Sequence, residues 1–221
     1  MKLTVYSAKG GQGKTPLALN MALHNDWGLC TNEDTPDLHR HLELGSQLII
    51  VEPDQPFPDL PEDIEVVFDL GGTMRGSIES VQSAVSQSDV VLVPIKAGEQ
   101  KSLIGGIKTI HEVSQINPNI VVVANMLTKK GSDGKFETGV EFQRIKDAMQ
   151  AAGVGEYPIL PLKRTTAFED IYHFNHCLRD LLTAKDEEGK PYLLPMTAYQ
   201  YRIPTEQFAD IMSYLKDHYE Q

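Results

Sequence analysis

Cysteine is scarce in this chain, with only Cys30 and Cys177 among 221 residues. They lie far apart, match no metal-binding or redox spacing and supply no Cys-x-x-Cys pair, which argues against an iron–sulfur carrier. With no signal peptide, two isolated thiols point to a reducing, cytoplasmic setting in which both fill space in the core. No apolar run approaches the roughly 20 residues that a membrane-spanning helix needs. Positive charge is also in short supply: 20 Lys and Arg face 31 Asp and Glu, a net charge of -11. Taken alone, that balance disfavours nucleic acid as a partner. The deficit is local, however, because the stretch from Glu33 to Asp69 holds eleven acidic residues and one basic, Arg40. The remainder is near neutral and leaves room for a basic patch that touches DNA.

What is present begins almost at the first residue. Residues 5–15 read Val-Tyr-Ser-Ala-Lys-Gly-Gly-Gln-Gly-Lys-Thr, a short strand entering a glycine-rich turn. Gly10, Gly11 and Gly13 open backbone conformations closed to residues with a Cβ, so that successive N–H groups, that of Gln12 included, can converge on an anion. Lys14 and Thr15 then open a helix whose unpaired donors and dipole favour phosphate. Lys14 reaches the β- and γ-phosphates, and the Thr15 hydroxyl ligates Mg²⁺. Pro16 suits a first helical turn, whose N–H groups have no partner inside the helix. It also removes a donor from the site, and one donor to a charged acceptor is worth about 1.5–3 kcal/mol, roughly ten- to hundredfold in affinity.

Downstream, apolar strands alternate with helical patterns. Strands are expected over 28–31, 47–51, 64–70, 89–95, 120–126 and 157–162, after a first one over 3–7. Helices are expected over 15–24, 35–42, 77–86, around 103–110, and over 140–152 and 205–219, with another following Phe168. Ile78, Val81 and Val85 fall at helical spacing on the third of these segments. Pro53, Pro56, Pro58 and Pro61 make a surface loop, and 184–201 reads as an irregular lid or partner loop. The alternation argues for an α/β fold: a single doubly wound, mostly parallel sheet with helices on both faces, ligands at its carboxyl edge, and one domain over 1–221. On that edge, Asp69 ends a strand before Gly71 and Gly72, as a Mg²⁺-holding carboxylate and a γ-phosphate switch would require. His173, Asn175, His176 and Cys177 lack the second ligand pair of a zinc site.

Lys9-Gly-Gly-x-Gly-Lys-Thr after an N-terminal strand resembles the deviant Walker A motif of the ParA/MinD family of ATPases. The extra lysine is that family's signature, and Ala8 stands where the ordinary motif has glycine. The resemblance implies a P-loop NTPase fold binding ATP and Mg²⁺, with Lys9 acting in trans on phosphates held by a second subunit. It implies that Asp34 positions the attacking water, although the same residue would cap a helix over 35–42. It places Asn125 at the adenine edge, where a strand-terminal Asn is equally a turn residue, and packs the Pro161 to Phe168 backbone, Lys163 included, on the base. Asn32 replaces the first Asp of the family's Asp-x-Asp-Pro, Thr35 intervenes before Pro36, and Pro16 stands where Ser or Thr is usual.

The function so implied is a weak, partner-stimulated ATPase. It forms an ATP-dependent homodimer and works with an adaptor or activator protein to position plasmid DNA, or a partition or conjugation complex, with no membrane partner. The first strand leaves no room for an N-terminal DNA-binding domain. Pro16 and Asn32 favour an alternative, a nucleotide-sensing interaction protein with little hydrolysis. A P-loop ligase of the dethiobiotin-synthetase type is a further alternative.

Overall fold

The computed structural model describes residues 1–33, 47–72 and 78–219. Seven strands, β1 (Lys2–Val5), β2 (Gly28–Thr31), β3 (Leu48–Ile50), β4 (Val66–Asp69), β5 (Val90–Lys96), β6 (Ile120–Leu127) and β7 (Ile159–Lys163), form a parallel sheet in the order β3-β2-β4-β1-β5-β6-β7. Between and after them come α1 (Lys14–Asn25), α2 (Ile78–Ser86), α3 (Gln100–Ser114), α4 (Val140–Ala151), α5 (Ala167–Phe174), α6 (Leu178–Leu181) and α7 (Pro195–Tyr219). Strand side chains alternate between two cores, as a sheet covered on both faces requires. Leu3, Val67, Leu92 and Val121 point to the face covered by α1, α5, α6 and α7. Phe68, Val91, Val93 and Val122 point to the face covered by α2, α3 and α4. β1 runs between β4 and β5, so α1 starts at the carboxyl edge near the middle of the sheet.

Three expectations change. Ile78 is 77% exposed, and the inward face of α2 is Ser80, Ala84 and Val85. The polar residues of that helix and the turn after it have a use: Ser80 donates to the Gln55 carbonyl, and Ser83 and Gln87 accept the backbone N–H groups of Phe57 and Leu60. These bonds hold the proline-rich loop down while buried Phe57 packs edge-on against Phe68 at 5.4 Å, so a loop otherwise mostly at the surface sends one ring into the core. The 184–201 segment is not irregular throughout, because α7 begins at Pro195 and runs through Pro204. The Tyr201 carbonyl accepts the Thr205 hydroxyl at 2.7 Å and Pro204 is buried, so packing holds a helix that its proline would otherwise have ended. Pro161, expected beside the base, lies within the edge strand β7 opposite Ala124, a place where a missing donor is tolerated.

Gly106 sets how closely α3 lies on the sheet. A Cβ there would come within 2.5 Å of Cγ1 of Ile95, which is fully buried. Gly106→Ala gains about 1 kcal/mol of helix propensity but overpacks the contact by about 1–3 kcal/mol. A lowered urea midpoint at unchanged slope is the expected result. A raised midpoint would show that the helix can lift off the sheet without cost.

Candidate nucleotide site

The turn after β1 is shaped by two left-handed glycines, Gly11 at φ 74° and Gly13 at φ 83°. At Gly13 space is also limiting, since a Cβ would lie 2.6 Å from the Asn125 amide nitrogen. Among the described residues, nothing accepts a hydrogen bond from the backbone N–H groups of Gly10, Gly11, Gln12, Gly13, Lys14 or Thr15. Six clustered donors without partners, at the start of a helix, are an anion cradle. Pro16 falls in the first turn of α1, with no N–H to add.

The cradle is bolted from outside. Buried Gln12 accepts the Lys96 N–H at 2.8 Å and donates to the Ser102 hydroxyl at 3.1 Å. Asn125 donates to the Gln12 carbonyl at 2.8 Å and accepts the N–H of Met126 at 2.8 Å. Both ends of the Asn125 amide are thus engaged within the protein, and the residue clamps the loop to β6. The positive φ of Met126 and the register shift between Ala124 and Leu127 mark the irregularity that lets β6 turn toward the loop.

Lys14 and Lys9 point to different places. The Lys14 ammonium is nearly enclosed, its side chain 4% exposed, and lies 3.3 Å from the carboxylate of Glu33. The Lys9 ammonium leans on α3, 3.2 Å from Glu99 and 2.9 Å from the Ser102 hydroxyl, and its stem runs against Gly105. Glu99 is exposed, yet Lys96, Lys9 and Ser102 draw its carboxyl down to about 2.

Asp69, fully buried, ends β4 beside Thr15. Burial pushes its carboxyl up to about 7; the Thr15 hydroxyl pulls it down, the Glu33 charge pushes it up, and Lys14 and Thr31 pull it down again. Its Oδ2 accepts a 3.4 Å bond from Thr31, while Oδ1 has no hydrogen-bond partner among the described residues. An orphaned, buried carboxylate oxygen next to a threonine hydroxyl is a donor set for a hard divalent cation that completes its shell with phosphate and water. Mg²⁺ therefore fits these residues. Beyond Asp69, Gly71 donates to the Asn32 side-chain oxygen at 2.7 Å, and a Cβ on Gly72 would sit 3.5 Å from the Gly10 nitrogen. Both glycines thus lie against the cradle or the strand end beside it.

A cavity of about 290 Å³ opens next to the cradle, lined by Gly13, Pro16, Asn125, Met126, Lys163, Arg164, Thr165, Thr166, Phe168, Glu169 and Tyr172. Two aromatic rings and Pro16 give it apolar walls suited to a heterocycle. Lys163 lines it and Pro161 does not. The structure thus gathers Lys9, Gly10, Gly11, Gln12, Gly13, Lys14, Thr15, Pro16, Asp69, Asn125 and Lys163 at one sheet edge. Asp34 lies outside the described residues. Glu33, Glu99, Ser102 and Tyr172 also belong to the constellation and carry no signal in the sequence. Burial raises the Tyr172 hydroxyl, and the charges of Asp69 and Glu33 raise it further.

No protein-family model matches the chain, and no curated protein sequence matches it. Solved structures do. The MinD cell division protein of Aquifex aeolicus is similar over 96% of this chain and 96% of its own, at 16% identity and a TM-score of 0.56. The cell division ATPase MinD of Pyrococcus furiosus covers 95% of this chain and 99% of its own, at 12% identity and a TM-score of 0.56. A variant of Cyanothece McdA in complex with ATP covers 95% and 96%, at 14% identity and a TM-score of 0.54. At such identities the likeness speaks for architecture, and with the cradle at the head of α1 it identifies the chain as having the P-loop NTPase fold of MinD and McdA.

Proposed function

We propose that this chain is a ParA/MinD-type ATPase that binds ATP with Mg²⁺ in the cradle from Gly10 to Thr15. The observation that carries the reading is the set of six backbone donors without partners among the described residues, backed by the buried Lys14 ammonium and by the Asp69 oxygen that has no hydrogen-bond partner among those residues. The backbone N–H groups hold the phosphates, and Lys14 neutralises charge between the β- and γ-positions. Thr15 and Asp69 hold the metal, which when bound spreads the charge that develops on the transferred phosphoryl group. The base occupies the cavity between Pro16 and Phe168, with Lys163 at its rim. Asp34 is assigned the orientation of the attacking water. Two chains close face to face over the nucleotides, Lys9 crossing to its partner's phosphates. A partner protein or DNA, met through a local basic patch, sets the rate, and the work is the positioning of plasmid DNA or of a partition or conjugation complex. The likeness to an ATP complex of McdA and to a MinD ATPase supports this reading.

A nucleotide sensor with little hydrolysis is the second reading. Pro16 favours it by withholding a donor, and so does Asn32, whose side chain is occupied by Gly71. Turnover by the pure chain, with and without DNA, separates the two. Slow hydrolysis raised by DNA or a partner fits the first; ATP binding with no turnover under any condition fits the second.

Asp69→Ala tests the metal assignment. Mg²⁺ is expected to tighten ATP binding by the native chain and to have no effect on the variant, as read by calorimetric titration with and without the metal. Thermal stability of the free variant is expected to hold or rise, since a buried charge without full compensation is removed. Equal Mg²⁺ dependence in both proteins would remove Asp69 from the site.

A further inference from the structure

The carboxylate of Glu33 occupies a place that the proposed function reserves for phosphate. It sits 3.3 Å from the Lys14 ammonium, and a Cβ built on Gly71 would lie 3.8 Å from its carboxyl carbon. It therefore fills the corner between the loop lysine and Gly71. The residue is held there by the end of β2: its N–H donates to Thr31 Oγ1 at 3.1 Å, and that hydroxyl donates to Asp69. One position earlier, the Asn32 N–H donates to the Asp69 carbonyl at 3.3 Å, and its side chain accepts the Gly71 N–H. With the Lys14 side chain 4% and the Glu33 side chain 24% exposed, this is no solvated surface pair, and its charges are poorly screened.

We propose that Glu33 is a tethered stand-in for the terminal phosphate, a specificity-determining residue through which the site weighs triphosphate against diphosphate. The inference rests on the reading of the cradle as a nucleotide site. A diphosphate can settle on the loop donors while Glu33 keeps its corner. A triphosphate must take that corner, because its outermost oxygens need the same ammonium, and two anions cannot share one lysine at full strength. Glu33 thus holds Lys14 in place when no nucleotide is bound and lowers the preference for ATP over ADP. General repulsion by a nearby carboxylate would weaken both nucleotides alike, so their ratio is the informative quantity.

The test is calorimetric titration of the full chain and of Glu33→Gln with ATP and, separately, ADP, Mg²⁺ present throughout. Glu33→Ala serves as a second variant, and the thermal midpoint of each checks folding. The variants are expected to bind ATP about tenfold more tightly and ADP less than about threefold more tightly, the loss of one competing charge-assisted contact. Equal tightening of both nucleotides, or no change in either, overturns the stand-in while leaving the nucleotide site intact. Failure of the native chain and both variants to bind either nucleotide overturns the site and the inference together.

Discussion

Lys14→Ala is expected to abolish measurable ATP binding. Lys14 heads α1, its side chain is nearly enclosed, and its ammonium lies 3.3 Å from the Glu33 carboxylate, in the corner proposed for the terminal phosphate. Each charge-assisted hydrogen bond to phosphate is worth about 1.5–3 kcal/mol, and loss of two lowers affinity by roughly a hundredfold or more. The substitution also leaves Glu33 without its counter-charge, facing the incoming phosphates, which deepens the loss. Combining Lys14→Ala with Glu33→Gln separates these terms: the double variant regains part of the affinity if repulsion contributes, and none if the whole effect belongs to the lysine. Calorimetric titration reads both. Native affinity in Lys14→Ala would mean that the phosphates lie elsewhere.

Lys9→Ala is expected to leave ATP binding within about threefold of native while abolishing ATP-dependent dimers and lowering turnover by about a thousandfold, the lower range for a residue acting in trans on a transferred phosphoryl group. The geometry of the free chain suits this division. The Lys9 ammonium rests on Glu99 and Ser102, and its stem lies along Gly105, so it takes no part in the cradle. The latch is exposed and therefore weak, and phosphates on a facing subunit compete for the lysine on favourable terms. Sedimentation with a slowly hydrolysed ATP analogue is the measurement. A dimer that survives the substitution defeats the trans role.

Much of the fold was legible because its signals are local. Val90 to Ile95 and Ile120 to Ala124 are apolar on both faces, which only a covered parallel strand requires, and the spacing of Gly10, Gly11 and Gly13 before Lys14 admits few conformations besides an anion cradle. The misses share a cause, since each depends on a partner distant in sequence. Ile78 kept a helical period yet points to solvent, because the loop from Gln55 to Leu60 needed the polar face of α2 instead. The terminal helix was expected only over 205–219, whereas α7 already begins at Pro195 and runs through buried Pro204. The pairing of Glu33 with Lys14, and of Glu99 with Lys9 across 90 residues, exists only once β2, β4 and α3 converge on the loop. Asn125 was legible as a strand-end residue at the carboxyl edge, but not as the clamp on Gln12.

The most direct measurement of the central claim is calorimetric titration of the purified chain with ATP in the presence of Mg²⁺, repeated with ADP as competitor. Saturable binding of one ATP per chain, displaced by ADP, is the predicted result. Absence of binding, or binding that ADP does not displace, would contradict the assignment of the Gly10 to Thr15 cradle as a nucleotide site.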